Sequence, residues 1–264
     1  MPPTGPRRQV QPAPLGVPVN GRGAGCTDGT LVRGYLAAPA SGMPRAGLVL
    51  SPGSEGATPA MVGVARAFAK AGYAVLLVDP FAREGGTRAV PEADRPQLLA
   101  GPDAAVRRQS DIRGAASYLA EVVGVPTDAL GLLGLGFGGV DAWEVAKYPS
   151  PPAYRAVVLF STLPSFLMGA EHVRAPVLAH YGALDRSAAA DLPVLERRLG
   201  DAGIDHTVRV HAASGRAFWL NANAAKAVMR ETLDWLKARH LGTDTGTRPP
   251  GVAPSRGRRR TLLN

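Results

Sequence analysis

Short apolar runs alternate along most of this chain with longer segments whose apolar residues recur every three or four positions. Residues 46–50 are wholly apolar and are flanked by Arg45 and by Ser51-Pro52-Gly53, the pattern of a strand buried on both faces. Val62, Ala65, Phe68 and Ala69 then keep helical spacing, and Gly72 supplies the residue type that commonly closes a helix. Residues 74–78 form a second buried run. Further on, the spacing predicts helices over 111–122 and 138–147, the latter stopped ahead of Pro149, with a strand over 131–134 between them. Strands over 156–160, 176–181 and 207–210 and helices over 189–200 and 222–240 complete the series, which residues 31–37 open as a strand. Alternation this regular predicts an α/β protein with a mostly parallel central sheet and helices on both faces. No repeat of solenoid length is present.

The two ends break the pattern. Residues 1–27 are rich in Pro and Gly and follow neither period, so a disordered leader is expected; residues 243–264 read as a disordered basic tail. Between them, 28–242 is expected to be one domain, long enough to bury a single core. The formal net charge of +9 points towards polyanions only until it is located. Arg248, Arg256, Arg258, Arg259 and Arg260 against Asp244 place four of those charges in the tail, and Arg7, Arg8 and Arg22 against Asp28 place two near the start. The three left for the body are ordinary, so nucleic-acid binding is not expected beyond weak, non-specific attraction at the tail. Cys26 is the single cysteine, which excludes an internal disulfide and a paired-thiolate metal site. Arg7-Arg8 is followed by Gln9-Val10-Gln11-Pro12 and not by an apolar segment, so export is not expected. No window approaches the ~18 apolar residues of a membrane span. A cytoplasmic protein with no membrane partner and no metal is the expectation.

In sheets of this kind, ligands bind beyond the carboxyl ends of the strands. The segments there are Ser51-Pro52-Gly53-Ser54-Glu55, residues 79–84, residues 134–139, Ser161, residues 182–185 and residues 211–218. Gly131-Leu132-Leu133-Gly134-Leu135-Gly136-Phe137-Gly138-Gly139 has the strand–turn–helix context of a nucleophile elbow, a tight turn that needs small flanking residues. Gly134, Gly136 and Gly139 also fit a dinucleotide fingerprint. They follow a late strand, however, and some twenty residues on stand Ala153-Tyr154-Arg155 with no acidic ribose ligand. No cofactor is therefore expected.

The glycine run resembles the elbow of the dienelactone hydrolase family, which places Cys or Ser where Gly136 stands. Gly72-Tyr73-Ala74-Val75-Leu76-Leu77-Val78-Asp79 resembles that family's second buried strand, and Tyr181-Gly182-Ala183-Leu184-Asp185 resembles the strand end that carries its catalytic aspartate. His211-Ala212-Ala213-Ser214-Gly215-Arg216-Ala217-Phe218 resembles the segment that carries its histidine, with Arg216 at the histidine position. The resemblance spans about residues 28–240 and implies an α/β-hydrolase fold.

It also implies that the triad is degenerate. Acyl transfer on this fold needs a side-chain nucleophile on the elbow, a neutral imidazole to take its proton and an acid to hold the imidazole. Gly136 offers nothing to acylate, and Arg216 stays protonated and accepts no proton, so of the three only Asp185 keeps its identity. Asp185 and Arg216 are expected to meet as an ion pair with Gly136 across a cleft. Ser51, Ser54, Ser161 and Ser214 read as loop hydrogen bonders. His180 reads as a core histidine, while His211 is expected to border the pocket with the carboxylates Glu55 and Glu84. Three functions follow. The first is a repurposed enzyme acting on an organic-acid or polyketide-like small molecule by a non-covalent step, with Asp185, Arg216, Glu55 and His211 supplying charge and proton transfer. The second is an inactive pseudo-hydrolase that binds or scaffolds, and the third a hydrolase with a different nucleophile.

Overall fold

The computed structural model describes residues 15–18, 31–148, 153–220, 222–239 and 241. Eight strands form one sheet: β1 (Leu15–Pro18), β2 (Leu31–Ala37), β3 (Ala46–Ser51), β4 (Tyr73–Val78), β5 (Leu130–Leu135), β6 (Tyr154–Phe160), β7 (Val177–Gly182) and β8 (His206–His211), in the order β1-β2-β4-β3-β5-β6-β7-β8. From β4 to β8 all neighbours are parallel; β2 joins β4 antiparallel, and β1 joins β2 antiparallel at the edge. The helices are α1 (Pro59–Lys70), α2 (Arg95–Ala100), α3 (Ala104–Glu121), α4 (Phe137–Lys147), α5 (Arg186–Ala189), α6 (Leu192–Asp201) and α7 (Ala222–Ala238).

Strand side chains alternate between two cores, as the period of two requires. Val49, Leu76, Leu132, Val157 and Ala179 pack beneath α3, α4 and α6, while Leu50, Val75, Leu133, Val158 and Leu178 pack beneath α1 and α7. Trp143 on α4 is fully buried and donates its indole N–H to the Met168 carbonyl at 2.7 Å. Burying each such side chain contributes about 1.5–3 kcal/mol. Past α7, Leu241 is buried and its carbonyl accepts from the Tyr73 hydroxyl at 2.9 Å, tying the end of the helical layer to β4. No helix among the described residues is long and apolar enough to cross a membrane.

Three features depart from the sequence reading. Four residues inside the expected leader form β1, at a sheet edge that tolerates Pro18 with its missing N–H. Helix α3 begins at Ala104, ahead of the expected residue 111, because its first turns bury Arg108 in place of an apolar stripe. Between β4 and α3, the stretch that carries no clear period folds into α2 and two short 3₁₀ turns. The rest of the expected leader and the tail from 243 lie outside the described residues.

Candidate active site

The turn from β5 into α4 is centred on Gly136, whose backbone stands at φ 50° and ψ −115°. This is the conformation of a strained strand-to-helix elbow, costly for any residue with a Cβ. Its neighbours are small for a different reason. A Cβ on Gly134 would run into the backbone of Gly139, and one on Gly138 into the carbonyls of Ser51 and Pro52 at the end of β3. A Cβ on Gly136 itself meets nothing within 4 Å, so this position opens onto free space.

One strand further along the sheet edge lies Ser161, at the end of β6, and beyond it the loops that follow β7 and β8. Asp185 and Arg216 meet there. Arg216 Nε donates to Asp185 Oδ2 at 3.0 Å, Ser187 Oγ donates to Asp185 Oδ1 at 2.6 Å, and an Arg216 terminal nitrogen donates to Ser187 Oγ at 2.7 Å. The Asp185 side chain is 4% exposed and the Arg216 side chain 50%. Burial pushes the Asp185 carboxyl up, but hydrogen bonds from Ser187 and Arg216 and the charge of Arg216 outweigh it and hold the group below the usual aspartate range. The backbone of residue 216 is pinned as well, since Ser161 Oγ donates to the Arg216 carbonyl at 2.7 Å. Ser161 carries φ 48°, a strained value for a residue with a side chain. Ser187 and the partner of Ser161, which the sequence marks as a loop hydrogen bonder, are thus what the sequence reading missed at this site. Ser187 was findable as a hydroxyl two residues after the aspartate; the link from Ser161 to residue 216 spans 55 positions and leaves no local signal.

Glu55 stands on the other side of the elbow, in the loop after β3. Arg95 on α2 holds this loop through the Glu55 carbonyl at 3.0 Å and the Thr87 carbonyl at 3.1 Å, and Thr87 is fixed in turn by Asp79. Burial raises the Glu55 carboxyl above the usual glutamate range, and the amides of Glu55 and Gly53 together with the Arg95 charge offset only part of that. Its Oε1 is buried without a hydrogen-bond partner. Glu55 and Asp185 therefore shift in opposite directions on the two flanks of Gly136. Neither Glu55 nor His211 is hydrogen-bonded to the Asp185–Arg216 pair.

His211 turns towards the α7 side of the sheet. Its Nε2 lies 3.0 Å from His180 Nδ1, and the His180 ring stacks between those of Phe160 and His211. His180 is fully buried and pushed down to about 3, by burial first and then by the charges of His211 and Arg209, so it is neutral. Glu84 closes a 3₁₀ turn after β4 and borders a groove of about 510 Å³ that Phe81, Arg83, Leu98, Arg107 and Arg108 also line. Arg108 connects this groove to the elbow, with its guanidinium 4.8 Å from the centre of the Phe137 ring.

A parallel sheet with a strand–turn–helix elbow after β5, an acid after β7 and a polar loop after β8 defines the α/β-hydrolase class. Residues 32–240 match the model of the dienelactone hydrolase family, and the chain belongs to that family. Among solved structures, a putative dienelactone hydrolase from Klebsiella pneumoniae superposes with a TM-score of 0.69 at 23% identity, covering 80% of this chain and 95% of its own. A dienelactone hydrolase from Anabaena variabilis gives 0.64 at 21% identity, with 86% and 97% covered. A dienelactone hydrolase-like promiscuous phosphotriesterase from metagenomic libraries gives 0.65 at 20% identity, with 78% and 93% covered. No curated protein matches the chain.

Proposed function

We propose that this chain is a repurposed dienelactone hydrolase-family enzyme that carries out a non-covalent step, a cyclisation, isomerisation or elimination, on an organic-acid or polyketide-like small molecule in the cytoplasm. The observation that carries the reading is the Arg216–Asp185 pair. On the resemblance it takes the place of the family's histidine–aspartate pair, and the elbow residue is Gly136, with open space where a Cβ would stand. The guanidinium of a half-exposed arginine held by a buried carboxylate cannot take a proton, but it binds and polarises a carboxylate or carbonyl oxygen. Proton transfer falls to Glu55, whose raised carboxyl is suited to give and retake a proton while Asp185 stays ionised.

Ser161 is a poor substitute nucleophile, because its hydroxyl is committed to the Arg216 carbonyl and the residue is buried. The test is to incubate the protein with a panel of lactones, hydroxy acids and keto acids and follow them by NMR, with intact-mass analysis of the protein in parallel. Conversion without an acyl adduct is expected, lost in Arg216→Lys and in Glu55→Gln although both variants fold. Saturable binding without conversion of any panel member would favour the pseudo-hydrolase instead, and a stoichiometric adduct would favour a different nucleophile.

A further inference from the structure

On the α7 side of the sheet, three elements bring His180 (β7), His211 (β8) and Glu231 (α7) together, with one donor atom of each within 4.8 Å of the other two. We propose that these three residues form a binding site for a divalent transition-metal ion of the zinc type. Two imidazoles and one carboxylate are a donor set that zinc accepts with a further position left to water.

The hydrogen bonds around the cluster leave a nitrogen lone pair in place for a metal. Thr232 Oγ1 donates its only proton to the Val228 carbonyl at 2.8 Å, so at 3.1 Å it accepts from His180 Nε2–H. That fixes the neutral His180 ring with its lone pair on Nδ1, the atom aimed at His211 Nε2. Outer hydrogen bonds that fix the tautomer of a histidine ligand are a recurrent feature of metal sites. The two nitrogens are 3.0 Å apart, close to the roughly 3.3 Å that two bonds of about 2.0–2.1 Å subtend at a tetrahedral ion. Without metal, His211 donates Nε2–H to His180; with metal, that proton moves to His211 Nδ1 and both rings coordinate as neutral imidazoles.

Glu231 supplies the second, independent observation. Its Oε2 is buried and has no hydrogen-bond partner, an arrangement that costs stability unless something cationic meets it. Phe160 stacked on His180, and Phe218 5.4 Å from His211, wall the cluster with rings. An apolar surround of this kind strengthens the hold of charged ligands on an ion.

The experiment uses the full chain, freed of metal by chelation and dialysis, and titrated with Zn²⁺ and with Co²⁺. One ion per chain is expected, with the intense visible absorption of four-coordinate Co²⁺. Glu231→Gln and His211→Gln should each weaken Zn²⁺ binding at least tenfold, and Thr232→Val, which only releases the His180 tautomer, by about 10- to 100-fold. Circular dichroism and melting curves establish that each variant is folded. Failure of the folded wild-type chain to retain Zn²⁺ at micromolar free metal would overturn the proposal. So would one-to-one binding unchanged in Glu231→Gln and His211→Gln, since it would place the ion elsewhere.

Discussion

Two arginine–aspartate pairs flank the elbow, and they differ in everything but their chemistry. Arg108 on α3 grips Asp141 on α4 through two nitrogens at 2.7 and 3.3 Å, gives a third hydrogen bond to the Leu99 carbonyl, and lies with its partner at 7% and 4% exposure. Arg216 holds Asp185 through one nitrogen and leaves half of its side chain in water. The first pair closes a helix–helix contact, and its carboxylate and guanidinium spend their hydrogen bonds on each other and on the Leu99 carbonyl. The second keeps its carboxylate inside and its cation half exposed. Burial, and not the identity of the partners, separates a structural pair from one available to a substrate.

The largest effect should come from breaking the buried pair. Asp141→Ala or Arg108→Ala strands a charge on a side chain more than nine-tenths buried, and a loss of about 3–5 kcal/mol in chemical denaturation is expected. A loss below about 1 kcal/mol would show that α3 and α4 relax enough to hydrate the survivor.

At the second pair the exposures make the two partners unequal. Arg216→Ala leaves a buried carboxylate with Ser187 and the Ala188 amide and should cost about 1–2 kcal/mol, whereas Arg216→Lys should lie within about 0.5 kcal/mol of wild type while losing the ligand. A double-mutant cycle over Asp185→Ala and Arg216→Ala measures the coupling directly.

Acid titration sharpens the contrast between the two shifted carboxylates on either side of the elbow, Asp185 and Glu55. Asp185 is held below its unfolded value of about 3.9, so its contribution is complete above that pH and is lost as pH falls through the folded value. Wild type should therefore lose stability more steeply on acidification than Asp185→Asn. Glu55 is held above its unfolded value, so the opposite holds, and stability should decline as pH rises past about 4.3 and on through the folded value. Glu55→Gln should remove that decline. Urea denaturation midpoints collected against pH check both signs.

The smallest effect concerns the ends. We propose 28–242 as the folding unit, and a chain of those residues should melt within a few degrees of the full length, even though it lacks β1. A larger drop would make the edge strand part of the core.

The central strands were legible in the sequence because they are buried on both faces, so runs such as Ala46–Ser51 and Tyr73–Val78 announce themselves by composition alone. The start of α3 was not, because Arg108 and Asp111 occupy its buried face and erase the apolar period. At the site, the elbow and Asp185 could be read from local motifs. The pairing of His211 with His180 was hidden, since it depends on the parallel register of β7 against β8 and not on any spacing within one segment. Arg216 lies between these cases: its place follows from a motif, and its exposure only from how the loop rests on Ser161.

The central claim is that a cleft of hydrolase geometry here works without a covalent nucleophile. Intact-protein mass spectrometry after treatment with serine- and cysteine-directed acylating probes tests it most directly, on wild type beside the variant Gly136→Ser with Arg216→His. Open space at the Gly136 Cβ position leaves room for the serine, at a backbone cost of about 1–3 kcal/mol. The account predicts an unmodified wild type and an adduct at residue 136 in the variant; a stoichiometric adduct on the wild-type chain would contradict it.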